Sequence, residues 1–312
     1  MRILFMGTPD FALFSLRALV EAGEDVIGVV TQPDKPKGRG YALTPPPVKV
    51  YALEQGLPVW QPNTLRDESF AELLRSIDPE MIVVAAYGKI LPKNVLDYPL
   101  YGCINVHGSL LPEYRGAAPM QRAIIDGKRE TGVTTMMMDV GLDTGDMLLV
   151  GKIGIEENDN FETIHDKLGA CGAEVLLRTV DAVKAGTLTR VAQDDSLATY
   201  AAKIEKSDCV IDFSKPARVV HDLVRGLSPI PLAFTRTPDG KMLKVIATEV
   251  AEGAVDAPAG TVTSLSGGKI TVACGEGAIS LLAVLPEGKK RMPAADFING
   301  RGVKVGDLLS AQ

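Results

Sequence analysis

Met81-Ile82-Val83-Val84-Ala85-Ala86 is an unbroken apolar run of strand length. A strand with one wet face alternates apolar and polar residues, so a run without alternation belongs to a strand covered on both faces, as in parallel sheets. Outward from this run, strand and helix signals alternate. Arg2–Met6, Val26–Thr31 and Leu57–Trp60 read as strands, and Asp10–Val20, Pro47–Gln55 and Glu68–Ile77 as helices. Beyond it, Gly102–His107, Gly132–Met138 and Met147–Ile155 read as strands, Ala117–Asp126 as a helix and Phe161–Ala185 as a long helix. This succession predicts an α/β domain with an open, mostly parallel Rossmann-like sheet and helices on both faces. Such sheets bind ligands beyond the carboxyl ends of their strands.

The pattern changes near Gly186. Residues 187–206 show no period and read as a linker. Lys215–Leu227 reads as a helix, followed by short strands at Ala233–Thr235, Leu243–Val250, Gly260–Ser264, Lys269–Ala273 and Ala278–Val284. Evenly spaced strands with Gly-rich turns predict a small barrel. The expected division is therefore a first domain at 1–186, a linker at 187–206 and a β-rich domain at 207–312. At 312 residues the chain is long enough for two such domains.

Hydrophobic residues make up 46% and charged residues 23%, the balance of an ordinary globular protein. No apolar stretch approaches the roughly 20 residues of a membrane helix. The opening strand turns at Thr8-Pro9-Asp10 too early for a signal peptide. Cys103, Cys171, Cys209 and Cys274 have no metal-ligand spacing, and the expectation is a cytoplasmic protein without a structural metal or disulfides. The net charge of −6 argues against a general nucleic-acid binder. It is uneven: residues 1–206 carry 21 Lys+Arg against 28 Asp+Glu, and residues 207–312 carry 12 against 11. From Lys35 to Leu53 there are four basic residues, Lys35, Lys37, Arg39 and Lys49, and no acidic one. They lie in or beside a Gly- and Pro-rich stretch, Gln32–Pro47, which reads as a structureless loop of functional length.

The chemistry concentrates in Gly102-Cys103-Ile104-Asn105-Val106-His107-Gly108-Ser109-Leu110-Leu111-Pro112 and in Asp139-Val140-Gly141-Leu142-Asp143-Thr144-Gly145-Asp146. Alternate residues of a strand share a face, so Asn105 and His107 point to one side. An amide and an imidazole together can donate hydrogen bonds to an oxyanion that develops during acyl-type transfer, and His107 can also move protons near neutral pH. Asp143 is the carboxylate that could orient His107. No Ser-His or Cys-His nucleophile pattern is visible, which favours direct transfer. His165 and His221 read as hydrogen-bonded core residues, Cys103 as a small buried hydrophobe, Ser109 as a turn residue and Met136-Met137-Met138 as core. Asp143 and Asp146 also fit a bland role as turn carboxylates beside glycine. The first turn, Gly7-Thr8-Pro9-Asp10-Phe11, lacks the further glycines of a dinucleotide cradle, and no Walker sequence occurs.

These residues resemble the methionyl-tRNA formyltransferases, a branch of the 10-formyltetrahydrofolate-dependent formyltransferase family, and the resemblance covers essentially the whole chain. Arg2-Ile3-Leu4-Phe5-Met6-Gly7-Thr8-Pro9-Asp10-Phe11 looks like that family's first strand and turn. Ser109-Leu110-Leu111-Pro112-Glu113-Tyr114-Arg115-Gly116-Ala117-Ala118-Pro119 is similar to its signature, and Asp139–Asp146 to its Asp-rich loop. The resemblance implies a catalytic set of Asn105, His107 and Asp143, and a folate-contacting segment of Ser109, Leu110, Leu111 and Pro112. It implies an insertion carrying Lys35, Lys37, Arg39 and Lys49 against the tRNA acceptor stem. In an OB-like C-terminal barrel, it implies that Lys289, Lys290 and Arg291 help to hold tRNA. The implied co-substrate is 10-formyltetrahydrofolate, the implied partner is initiator methionyl-tRNA, and the expected form is a monomer without metal or membrane. Formyltransferases of glycinamide ribonucleotide or amino-sugar nucleotides would share the set. The basic insertion and the extra β-rich domain, which a small acceptor does not require, favour tRNA. A formyltetrahydrofolate hydrolase and a non-catalytic folate- or RNA-binding module are the other readings.

Overall fold

Met81–Ala85 is buried at every residue, as its sequence requires. The computed structural model describes residues 1–37, 42–253 and 256–310. In chain order the strands are β1 (Ile3–Gly7), β2 (Val26–Val30), β3 (Lys35–Lys37), β4 (Ala42–Thr44), β5 (Val59–Trp60), β6 (Met81–Ala85), β7 (Cys103–His107), β8 (Arg115–Gly116), β9 (Glu130–Met137), β10 (Met147–Gly154), β11 (Tyr200–Ala201), β12 (Ala233–Arg236), β13 (Met242–Ala251), β14 (Val262–Ser264), β15 (Ile270–Ala273), β16 (Ala278–Pro286) and β17 (Met292–Pro293). The α-helices are α1 (Asp10–Glu21), α2 (Pro47–Glu54), α3 (Glu68–Ile77), α4 (Lys93–Leu96), α5 (Pro119–Ile125), α6 (Phe161–Lys184), α7 (Ala217–Gly226) and α8 (Ala294–Asn299). They fall into two compact units. One comprises Met1–Gly116, Glu130–Ile153 and His165–Ala201; the other comprises Ala117–Arg129, Gly154–Ile164 and Ala202–Gln312.

The first unit holds a seven-stranded sheet in the order β10-β9-β7-β6-β1-β2-β5. Pairing is parallel from β7 through β6, β1 and β2 to β5, whereas β7 and β9 run antiparallel. On one face Leu4, Met6, Ile82, Val84 and Cys103 form a core with Phe70 and Leu74 of α3 and Val95 and Leu96 of α4. On the other, α6 comes so close that a Cβ on Gly172 would lie 3.1 Å from Val106 Cγ1. Each fully buried Leu or Phe contributes about 1.5–3 kcal/mol, which explains why the two-faced strands are apolar throughout. Helix α3 starts where Asp67 accepts a 3.1 Å hydrogen bond from the Phe70 amide and ends at Asp78 in the left-handed region, at φ 44°.

One expectation needs correction here, and one feature was unforeseen. The stretch expected to be structureless between β2 and α2 contains a hairpin, with Lys35 paired to Thr44, Pro36 to Leu43 and Lys37 to Ala42. A two-stranded ribbon leaves one edge free, so Pro36 needs no ladder donor. Arg39 lies outside the described residues. The unforeseen feature is the pairing of β8 with β11, Arg115 to Tyr200 and Gly116 to Ala201. These segments are too short to carry a periodic signal.

The second unit centres on a curled antiparallel sheet in the order β12-β13-β16-β15-β14, with β17 on β16. Its chain end reaches both outer edges: Ser310 bridges Arg236 and Leu308 bridges Thr261. Helix α7 packs its Val220 and Val224 into the core with Val245, Val272 and Leu281. Ile125 of α5 joins the same cluster, which is why α5 belongs to this unit. Among the described residues no helix is long and apolar enough to cross a membrane.

Candidate active site

Strand β7 passes from core to site along one face. Cys103 at its start lies in the core, where burial pushes its thiol up to about 12. Two and four residues on, Asn105 is half-buried and His107 is buried. Register places Asn105 between Val84 of β6 and Met136 of β9, and His107 opposite Thr134. The apolar neighbours hold the backbone, while no hydrogen bond engages the Asn105 side-chain amide among the described residues.

After β7 the chain folds back on itself. Thr134 Oγ1 donates to the Ser109 carbonyl at 2.8 Å and accepts from the Leu111 amide at 3.1 Å. The fully buried Ser109 donates its hydroxyl to the Glu113 carbonyl at 2.7 Å. Tyr114, at φ 60°, presents its carbonyl oxygen 3.0 Å from His107 Nε2. A carbonyl only accepts, so Nε2 carries the hydrogen. The other ring nitrogen, Nδ1, faces Asp143 Oδ2 at 3.7 Å, which is too long for a hydrogen bond. Nδ1 is thus the nitrogen left for a reacting group. Asp143 Oδ2 itself accepts from the Gly116 amide at 2.9 Å.

The loop bearing Asp143 leaves β9 beside the start of β7, where the Met138 amide donates to the Cys103 carbonyl at 2.8 Å. It must run along β7 to bring Asp143 to Gly116 beyond the strand's far end. Asp139 Oδ1 ties its first turn through the Gly141 amide at 2.9 Å and the Thr144 hydroxyl at 2.7 Å. Asp143 sits at φ 54°, and the neighbouring Val140 and Leu142 are exposed. Of the three residues picked from sequence, His107 and Asp143 therefore face each other, and Asn105 lies two residues from His107 on the same face of β7.

The other sequence candidates are placed differently. In the folate segment, Leu111 is buried and Leu110 and Pro112 are half-buried, and the Ser109 hydroxyl is engaged within the turn. Lys35 is exposed on β3, and Lys37 ends that strand. Lys49 is committed elsewhere: its Nζ lies 2.9 and 2.8 Å from the two Asp34 carboxylate oxygens and 2.8 Å from Gln61 Oε1. The Lys49 and Gln61 hydrogen bonds hold the Asp34 carboxyl below the usual range. Lys289, Lys290 and Arg291 are exposed on the turn between β16 and β17, in the second unit. His165 bonds Asp166 at 2.9 Å and meets Phe11 and Phe14 edge-on. His221 is buried, with Nδ1 2.9 Å from Thr248 Oγ1. Among the described residues no cluster of three or more His, Cys, Asp or Glu side chains could hold a metal ion.

Sequence reasoning missed two residues at this site, Arg115 and Gln193. Gln193 Nε2 donates to the carbonyls of Asp143 and Gly145, each at 2.8 Å, and its Oε1 accepts from Arg115 Nε at 3.0 Å. No local pattern marks a glutamine fifty residues downstream of its partner.

Comparison with known proteins shows the family. A profile described as formyl transferase matches residues 1–180, and one described as formyl transferase, C-terminal domain, matches residues 203–302. The chain is 50% identical over 309 residues to a methionyl-tRNA formyltransferase of Geotalea daltonii, covering 99% of this chain and 98% of that one. It is 49% identical over 306 residues to the methionyl-tRNA formyltransferase of Bacillus licheniformis, covering 98% and 96%. Among solved structures, the sugar 3N-formyl transferase WlaRD superposes with a TM-score of 0.68 at 17% identity, over 93% of this chain and 98% of that one. HypX from Aquifex aeolicus, in complex with tetrahydrofolic acid, gives 0.65 at 17% identity over 98% of this chain, which spans about half (48%) of HypX. At such identity these two structures speak for the fold alone.

Proposed function

The chain belongs to the formyl transferase family, and from that premise we propose that it transfers the formyl group of 10-formyltetrahydrofolate to the α-amine of methionine on initiator methionyl-tRNA. The observation that carries this reading is the approach of Asp143 to His107, with Nδ1 3.7 Å from the carboxylate, at the end of the strand face that also bears Asn105. The two full-length relatives of about 50% identity bear the same name as this activity.

The residues divide the work as follows. The Asn105 amide donates to the formyl oxygen as it gains negative charge. In its charged form His107 donates from Nδ1 to the same oxygen, because Nε2 is held by the Tyr114 carbonyl. Asp143, fixed by the Gly116 amide, takes the proton that the attacking amine must lose. A bond forms between the amine nitrogen and the formyl carbon, and the bond from that carbon to N10 breaks. The proton lost by the amine equals the one gained at N10, so the side chains only relay it. Free α-amines have a pKa near ~8, so deprotonation is a modest demand.

We assign residues 1–186 to formyl transfer, 187–206 to a linking role and 207–312 to holding tRNA, in a cytoplasmic monomer. Lys35 and Lys37 on the hairpin, Arg39 in the same stretch of sequence, and Lys289, Lys290 and Arg291 on the C-terminal turn contribute positive charge toward RNA phosphates. The Asp34–Lys49–Gln61 contacts give Lys49 the part of an anchor at the base of that hairpin. The deciding experiment is transfer of radiolabelled formyl from 10-formyltetrahydrofolate to charged initiator tRNA. Glycinamide ribonucleotide, an amino-sugar nucleotide and water serve as competing acceptors. Label appearing on a small acceptor, or as free formate, in place of tRNA would refute the proposal.

A further inference from the structure

The segment after α6 packs within the first unit as far as Ala201. Val191 bridges Met147, the Arg115 amide donates to the Thr199 carbonyl at 2.9 Å, and the Tyr114 amide donates to Thr199 Oγ1 at 2.8 Å. Gln193 is thereby pinned from both sides. Arg115 is 2% exposed. It donates from Nε to Gln193 and from Nη2 to Asp195 Oδ1 at 2.7 Å.

We propose that Gln193, oriented by the buried Arg115, is a positioning residue for Asp143 in formyl transfer. This deepens the function proposed above and rests on Asp143 taking part in it. The orientation of the amide is determined by its partners. A guanidinium has no acceptor, so the Gln193 atom facing it is the oxygen. The two N–H bonds then point at two carbonyls, which only accept, those of Asp143 and Gly145. A cation at the head of a chain of hydrogen bonds polarises each bond after it. Asp143 needs such a hold. A non-glycine residue in the left-handed region is strained and persists only where its surroundings impose it. The loop's own side-chain ties, from Asp139, end at Gly141 and Thr144 and leave the Asp143 carbonyl to Gln193. The Asp143 carboxylate stands 3.7 Å from His107 Nδ1, so a small loop displacement moves the proton acceptor relative to the groups that hold the formyl oxygen.

The test is a set of full-length variants read by formyl transfer to charged tRNA, folate binding and thermal melting. Gln193→Glu keeps an acceptor for Arg115 but turns an oxygen, instead of two donors, toward the Asp143 and Gly145 carbonyls. A side chain that mattered only through its pair with Arg115 would tolerate it, since that pair becomes ionic. A positioning residue would not: kcat should fall about tenfold or more, with KM for tRNA and the folate Kd within about twofold. Gln193→Met, which keeps length without polarity, should behave alike and serves if the glutamate variant melts early. In combination with Asp143→Asn, neither change should lower kcat further, because both act through one group. Parental kcat in a folded Gln193 variant overturns the proposal, and so does a multiplicative loss in the double variant. Parental kcat in Asp143→Asn alone overturns the underlying role of Asp143 and this proposal with it. A large Asp143 effect beside silent Gln193 variants overturns this proposal only.

Discussion

Replacing Gly145 by alanine adds one methyl group where the Asp143 loop turns back to the sheet. Gly145 does not occupy the left-handed region, so its backbone suits any residue; the difficulty is space. A Cβ built there lies 1.9 Å from the Met137 carbonyl oxygen and 2.9 Å from its carbon. These are backbone atoms of β9, and the Met137 amide is itself held by the Asp146 carbonyl at 2.8 Å, so the strand cannot swing aside as a side chain could. Relief to even a tight contact of about 3 Å needs a shift of roughly 1 Å, the scale of misplacement that can cost on the order of 100-fold in rate. Because Gln193 ties the carbonyls of Gly145 and Asp143 together, the shift carries Asp143 with it. Gly145→Ala should therefore lower kcat for formyl transfer about 100-fold. It should also destabilise by about 1–3 kcal/mol, the usual cost of overpacking. Gly141→Ala is the comparison: its Cβ would first meet a side chain, Thr144 Oγ1 at 2.0 Å, so relief costs the Thr144–Asp139 bond but leaves β9 in place, and its loss should be smaller. Single-turnover transfer and thermal melting on both variants decide the matter. A Gly145→Ala enzyme with parental kcat and melting temperature would refute the claim that this contact sets the position of Asp143.

Further outcomes follow from other contacts. Asn105→Ala and His107→Ala should each reduce turnover on the order of 100-fold or more with melting little changed, as loss of one oxyanion donor does; parental turnover in either removes that residue from the site. Lys49→Met should loosen the hairpin base by freeing Asp34 and Gln61, raising KM for charged tRNA while the folate Kd holds; an unchanged KM assigns the hairpin no part in tRNA use. Arg39→Ala, at the centre of the insertion, should weaken use of charged tRNA and flatten its dependence on salt, read from kcat/KM at two ionic strengths. Burial lowers the His221 pKa below its ordinary value near 6.5, so the unfolded chain binds a proton more readily than the native one. Stability is then complete above pH ~6.5 and falls as pH drops through the window beneath it. Melting between pH 5 and 8 should show a shallower acid-side loss in His221→Gln than in the parent; equal slopes would contradict this.

The chain's sequence alone carried the parts whose causes are local. The unbroken apolarity of Met81–Ala85 announced a strand buried on both faces, and Glu68–Ile77 was legible as a helix, whose start the structure shows capped by Asp67. The period of two in β7 placed Asn105 with His107, and the family motifs added Asp143. What depended on distant partners was invisible. Lys49 looked like one more free cation beside the insertion until Asp34 and Gln61, 15 and 12 residues away, were seen to hold it. The insertion looked structureless because two three-residue strands leave no period to read. Gln193 lay in a stretch without pattern, yet its amide meets Asp143 across 50 residues and Arg115 across 78. Helix α5 was legible as a helix, but only the core that Ile125 enters shows that it belongs with the C-terminal sheet. Periodicity reports which face of an element is buried; it does not report against what. That choice is made when the elements pack, and at this site it selected which groups stay free to react and which are held in place by others.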